Sequence, residues 1–370
     1  MRARLDQKVD SDWTCNCLLS LGIALLALGL VGSTRLFAAE QENYGGLFMA
    51  VADVPLGPTT SRFDYESIDS ATGRLFIAEM GSAKLLVFNI RTQKLESELN
   101  DFPKVTGVLA VSQIHKVYAS VPGAGIIASI SVGLGMAGLS AGTGKIAIID
   151  SNSLKEVTRI PGGVFPDGIA YDAEDQQIFV SDELGSAVEV IDAQTNAVIT
   201  RIDAKGQVGN VQYDPLTKRV YAPIQSRNQL IAIDPKSKRV VERYQLADGC
   251  HPHGLRIATG EPIGYIACDE DDRLLVIDLK SGRILATQSL GRDPDVLAGD
   301  STLHRLYVAG ESGLLSVFDV TNASMPNKLG DVFIGEDAHS VAVDPVSHRL
   351  FVPLRDLHGR AVLRVLEPKS

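Results

Sequence analysis

The chain has a single tryptophan, Trp13, in 370 residues, and aromatic residues make up only 6% of it. It has four cysteines, and two of them, Cys15 and Cys17, sit in an N-terminal apolar stretch, which leaves Cys250 and Cys268 for the rest. No nucleophile motif, phosphate-binding glycine loop, HExxH zinc helix or CxxCH haem site occurs, so none of those chemistries is signalled. Positive charge is in the minority: 35 Lys and Arg against 45 Asp and Glu give a formal charge of −10, with the acidic residues dispersed. That balance argues against nonspecific nucleic-acid binding through bulk charge, leaves room for a local basic patch, and suits a soluble exported protein.

What the chain does have is repetition. The clearest copy, residues 165–202, reads FPDGIAYDAEDQQIFVSDELGSAVEVIDAQTNAVITRI. Aligning the copies on the polar residue that ends the third apolar run picks out Asn89, Asp150, Asp192, Asp234, Asp278, Asp319 and Glu367, roughly 41 to 48 residues apart with one longer step. Each unit carries short alternating runs, such as residues 177–181 and 187–191, between turn clusters of Asp, Gly, Pro, Ser and Thr. Such runs predict strands rather than helices. Seven units of this length with four strands each predict an all-β, seven-bladed β-propeller with four-stranded antiparallel blades, each covering its apolar faces against its neighbours.

The closure of the ring is also legible. The last unit offers strands at residues 339–343, 349–353 and 361–366, and the chain ends before a fourth. A matching segment, residues 47–57 (LFMAVADVPLG), stands before the first unit, so this N-terminal strand is expected to complete the last blade and leave no edge exposed. The predicted organisation is a leader over residues 1–39 and one propeller domain over 40–370, with blades spanning 62–369 and a ring large enough to account for the length.

These segments, above all "FPDGIAYD", "QQIFVSDELGSAVEVID" and "TNAVITRI", with weaker echoes in "RVYAPIQSRNQLIAIDPKSKRVV" and "RLYVAGESGLLSVFDV", resemble the YVTN-repeat family of seven-bladed propellers, including the periplasmic YncE-like proteins. The resemblance covers nearly everything after the leader and implies recognition more readily than a defined reaction; the fold does not dictate the activity. The lone tryptophan leaves out the repeated Trp-Asp of WD40 blades and the Trp motifs of quinoprotein dehydrogenases.

Residues 15–33 (CNCLLSLGIALLALGLVGS) are long and apolar enough for an export signal or a bilayer span. A cleaved signal peptide and a periplasmic or extracellular location are expected, with a retained N-terminal membrane anchor as the alternative. Charges before the span nearly cancel and Arg35 follows it, so the orientation signal is weak. No lipoprotein box precedes Cys15 or Cys17.

Cys250 and Cys268 both fall in the fifth unit, toward one face, and in an oxidising compartment would pair as a disulfide. Two other readings stand beside this one: unlinked thiols, and a metal site built on Cys250-His251-Pro252-His253.

Residues just before each innermost strand ring the mouth of a propeller's channel. In the seven units they are Asp64, Thr106, Asp167, Gly209, His253, Asp295 and His339. A second ring, from the ends of the neighbouring strands, holds Glu79, Asp182, Glu183, Cys268, Asp269, Glu270 and Glu311. Carboxylates and imidazoles converging in a pore suit a divalent cation, which makes Asp64, Asp167, His253, Asp295 and His339 candidate metal ligands, and the same five with Glu79 and Glu183 candidate ligand-binding residues. No cofactor is certain from this pattern. For each single aspartate the preferred reading is the plainer one, that Asp167 and its equivalents cap backbone amides in x-P-D-G turns. Histidine is a poor substitute for a turn-forming aspartate, so His253 and His339 are the candidates for ligand contact or catalysis. Asp69, Asp172, Asp214, Asp300 and Asp344 on the opposite face, and the Asp residues that end the third strands, read as turn residues, with His304 and His348 solvated beside them.

The second unit is longer than the rest by roughly 18 residues, through the glycine-rich, uncharged residues 123–143 (GAGIIASISVGLGMAGLSAGT). They are expected to form a flap over the channel mouth or an apolar docking surface, against the alternative of a membrane-facing or disordered insertion. Three function classes follow: a binding module holding a protein, polymer or small ligand at the mouth, which is the preferred reading; a metal-dependent lactonase or lyase in which His253 or His339 moves a proton; and an envelope scaffold anchored by the leader.

Overall fold

Runs of apolar residues cut by turn clusters become strands in seven four-stranded antiparallel sheets, the blades of a β-propeller, in a computed structural model that describes residues 44–122 and 143–369. The leader and, but for Thr143, the glycine-rich insertion lie outside the described residues. In the third blade the chain steps outward through Pro166–Asp172, Gln177–Asp182, Ala187–Asp192 and Val198–Asp203, each strand paired antiparallel with the last. Helical residues among those described are confined to three short 3-10 turns.

Burial explains the sequence texture of a blade. The two middle strands are covered on both faces by neighbouring blades, so Gln177–Asp182 is buried throughout and Ala187–Asp192 nearly so. The outermost strand has one free face and alternates, as in KLESELN over Lys94–Asn100. The core therefore lies between blades: Phe76, Ala78, Leu85 and Val87 of the first blade pack on Val117, Ala119, Ala147 and Ile149 of the second.

The ring closes as the sequence predicts. Phe48–Pro58 is the outer strand of the seventh blade and pairs antiparallel with the C-terminal strand Arg360–Pro368, from Phe48 opposite Pro368 to Pro58 opposite Arg360. Across the seam Phe88 of the first blade meets Phe351 of the seventh, ring centroids 6.2 Å apart.

The innermost strand of the seventh blade is shorter than expected. It is a two-residue ladder, Ala342–Val343, because the chain before it turns: Ala338 N–H bonds Gly335 O, and His339 Nδ1 lies 3.1 Å from Asp337 O.

Turn chemistry holds where it was assigned. The Oδ1 atoms of Asp69, Asp172, Asp214, Asp300 and Asp344 each accept the amide two residues on, at 2.9 to 3.2 Å. Asp192 and Asp278 each accept two such amides on the outer turns. His304 is exposed, but His348 is not simply solvated: its Nδ1 sits 2.7 Å from Asp300 Oδ2.

Candidate functional site

The starts of the inner strands converge on a funnel of about 410 Å³ at one end of the channel. Asp64, Asp167, His253 and Asp295 line it, together with Glu183 of the second ring. His339 is buried beside them, with its imidazole under the influence of Asp295, Arg62 and Asp64. Glu79 stands apart: it is not part of the funnel wall, and its surroundings are Ser82, Lys84 and Glu98 of its own blade.

The seventh-part symmetry of the ring is broken for packing reasons. Gly209 occupies a position held elsewhere by acids and histidines because a Cβ there would lie 2.6 Å from the His253 carbonyl oxygen. One residue further in, Gly254 is forced by the same crowding, its would-be Cβ falling 2.1 Å from Asp295 O.

The first blade departs from this pattern, with Tyr65 where the second, third and fifth have glycine. The Tyr65 hydroxyl reaches across the channel to within 3.3 Å of His253 Nε2. Arg62, two residues before Asp64, is the second participant absent from the aligned rings. Its guanidinium bonds Glu311 Oε1 at 2.7 Å and lies 3.7 Å from both Asp64 Oδ2 and Asp295 Oδ2. A Tyr in a glycine column is a signal the sequence carries; the convergence on Arg62 is not, because its partners come from the first and sixth blades.

The channel aspartates are not turn caps. Asp167 Oδ2 and His339 Nε2 are buried without a hydrogen-bond partner, and Asp295 Oδ1 faces His253 Nε2 at 3.5 Å; on the opposite face Asp69 and Asp172 likewise leave Oδ2 unbonded, but their Oδ1 atoms cap amides. The second ring is largely structural. Asp182 Oδ1 accepts the amides of Val164, Phe165 and Gly185 while Oδ2 pairs with Arg201 at 3.0 Å. Asp269 holds His251 Nδ1 at 2.7 Å, and Glu183 is oriented by Gln207 at 2.8 Å. Cys250 and Cys268 are joined as a disulfide, with Cα atoms 4.5 Å apart, behind His253 in the same blade.

Electrostatics in the funnel follow from burial and crowding. Burial, reinforced by Asp64 and Glu183, pushes the Asp167 carboxyl up to about 8. Burial likewise raises Asp64, to about 6, with Arg62 and His339 opposing. For His253 burial acts downward, yet the surrounding carboxylates, Asp295 first, carry it up to about 9. His339 is also raised, Asp337 and Asp295 outweighing its desolvation. At neutral pH the funnel thus combines a protonated Asp167 with a charged imidazole at His253.

Among the described residues no group of three or more His, Cys, Asp or Glu side chains is arranged to hold a metal ion. Arg62 already supplies a positive charge amid Asp64, Asp295 and Glu311.

No family model matches the sequence, and no curated protein is similar to it. The fold is similar to that of solved structures at low identity. They include a chain of the mitotic checkpoint complex (TM-score 0.69, 11% identity, 95% of this chain and 100% of that one) and streptogramin B lyase (0.69, 12%, 89% and 100%). Hydrazine synthase of Kuenenia stuttgartiensis is a third (0.64, 16%, 91% and 99%). At these identities the likeness establishes the fold alone. The class that fold and geometry define is a seven-bladed β-propeller with a polar, acid-rimmed funnel at one end of its channel, a fold compatible with a binding module and shared with a lyase.

Proposed function

We propose that the chain is an exported YVTN-type propeller whose channel mouth recognises a small, polar, positively charged ligand. The observation that supports this most is the state of the buried carboxyls at the funnel: Asp167 Oδ2 has no hydrogen-bond partner, and Asp295 Oδ1 faces only His253 Nε2, 3.5 Å away, among the described residues. Leaving such a group unsatisfied costs about 1–3 kcal/mol, which a ligand offering the missing hydrogen bond recovers. Glu183, Asp269, Asp293 and Glu311 add negative charge to the same wall, so the approach favours cations. The Cys250–Cys268 bridge and the apolar leader support a periplasmic or extracellular location, with membrane anchoring through the leader as the alternative.

Titration calorimetry with a set of amines and guanidines and their neutral analogues tests the reading. Cationic members are expected to bind preferentially and to lose about tenfold or more in affinity when Asp295→Asn removes a charged acceptor. Equal binding of neutral analogues, or unchanged affinity in Asp167→Asn/Asp295→Asn, sinks it.

A second reading, a lactonase or lyase, is supported by the placement of protons: a protonated Asp167 and a charged His253 share one cavity, the pairing of acid and base roles that environment creates in active sites. A divalent ion would supply carbonyl polarisation, and His253 or His339 would move the proton. Turnover of lactones that disappears both with chelator and with His339→Ala distinguishes this from simple binding.

A further inference from the structure

The channel contains a second cavity, of about 330 Å³, that the mouth site does not use. Ser70, Gly299 and Pro345 place its opening at the face opposite the funnel, where the turn aspartates lie. Tyr65 is the one residue that borders both cavities. With its hydroxyl 3.3 Å from His253 Nε2, its side chain spans the channel from the first blade to the fifth and partitions it.

Aliphatic residues, among them Val108, Leu109, Ile169, Val211, Leu297 and Val341, form part of the chamber's wall, though polar atoms contribute more of its surface than apolar ones. Besides Tyr65, the ionisable residues in that wall are Glu66 and Arg256. Arg256 is partly exposed, bordering this cavity and a smaller one beside Asp300, but is packed deeply enough in protein that burial lowers its pKa, and no carboxylate among the described residues forms an ion pair with it. A guanidinium does not deprotonate in a protein, so this is a standing positive charge without a protein counter-ion. Gly299 leaves space beside it: a Cβ there would come within 3.4 Å of Arg256 Nε.

Glu66 does not supply the missing anion. Both its carboxyl oxygens are buried without a well-formed hydrogen bond, Ser340 being the polar group beside them. Burial raises its pKa well above the usual carboxylate range, which leaves a neutral carboxylic acid able to donate a hydrogen bond.

We propose that this inner chamber is a second ligand site, taking a small monocarboxylate with an apolar body whose carboxylate pairs with Arg256 while its body lies against the aliphatic part of the wall. The volume falls within the range of about 300–1,000 Å³ usual for small-molecule pockets. One guanidinium matches one carboxylate in a bidentate pair, whereas a phosphate dianion would bring more negative charge than Arg256 neutralises. The site is independent of the mouth and faces the other way.

The test is titration calorimetry of the full chain with hexanoate and benzoate, alongside hexanol and benzyl alcohol. The expected result is one carboxylate bound per chain, binding weakened about tenfold or more in Arg256→Met, and clearly weaker binding of the alcohols. Ile169→Trp, which fills the chamber without touching the charge, is expected to abolish binding while circular dichroism reports an intact propeller. Absence of binding by both carboxylates, alcohols binding as tightly, or unchanged affinity in a folded Arg256→Met or Ile169→Trp variant would overturn the proposal.

Discussion

Arg364 grips Asp53 with two parallel hydrogen bonds, Nε to Oδ1 at 2.8 Å and Nη2 to Oδ2 at 2.9 Å, and thereby ties the C-terminal strand of the propeller to its N-terminal closing strand. The third guanidinium nitrogen, Nη1, donates to Ile334 O at 2.8 Å, and Tyr44 lies under the group with its ring centroid 5.8 Å away. The pair is buried, so each charge relies on the other. Asp53→Ala is expected to cost about 3–5 kcal/mol, because it strands a buried guanidinium. Replacing both partners by leucine is expected to restore part of that loss. Urea denaturation of the three proteins measures it; equal stability of wild type and Asp53→Ala would mean that the seam is held by the strand pairing alone.

Cys250 and Cys268 close a loop of 18 residues. A loop of that size is worth about 3 kcal/mol in the chain-entropy description. Cys250→Ala/Cys268→Ala is therefore expected to melt at lower temperature than the oxidised wild type and to be insensitive to reductant, while the wild type loses stability on reduction. Thermal melts with and without dithiothreitol check this.

The funnel makes stability fall as pH rises. Asp167 and Asp64 have folded pKa values above their unfolded ones, so each holds its proton more tightly when folded; the stability this contributes is full below about 4 and is lost as pH climbs through about 6 for Asp64 and about 8 for Asp167. His253 acts in the same direction, its contribution present below about 6.5 and lost by about 9. Denaturation midpoints are expected to decline from pH 5 to pH 9. Asp167→Asn, which imitates the protonated carboxyl, is expected to flatten the decline up to about pH 8. A wild-type midpoint that rises over this interval would contradict the assignment of protons in the funnel.

Arg62 offers its guanidinium to Asp64, Asp295 and Glu311. Arg62→Met leaves these carboxylates without their resident cation. Two consequences are expected: tighter uptake of calcium than in the wild type, read by calorimetry, and a further rise in the Asp64 pKa, read by NMR titration, because Arg62 is the largest influence holding it down. Calcium affinity equal to that of the wild type would show that the carboxylates cannot converge on an ion even without Arg62.

The blades, their number and the closing strand were legible because they rest on local, repeated chemistry. Alternation marks a strand with one free face, continuous apolar runs mark strands covered on both, and an aspartate before a turn caps the next amides wherever it occurs. Asp192, whose Oδ1 accepts the amides of Gln194 and Thr195, needs nothing from the rest of the ring to do so. Counting back along each copy also placed Asp64, Asp167, His253 and Asp295 at the mouth, since equivalent positions of a repeat occupy equivalent places.

The same reasoning favours turn-capping for each channel aspartate taken singly, and there local logic fails. Whether a carboxyl finds an amide depends on the neighbouring blades: for Asp167 Oδ2 they supply crowding without a donor, and for Asp295 they supply Arg62 and His253 instead of an amide. Sequence determined the seven-bladed scaffold and the ring of acids and imidazoles at its mouth. Tertiary structure decided what those groups meet: Arg62 among carboxylates from the first and sixth blades, Tyr65 across the channel from His253, and Arg256 in a chamber that gives it no paired carboxylate. These contacts join residues far apart in the chain, and a repeat pattern describes each blade without specifying which side chains the closed ring brings face to face.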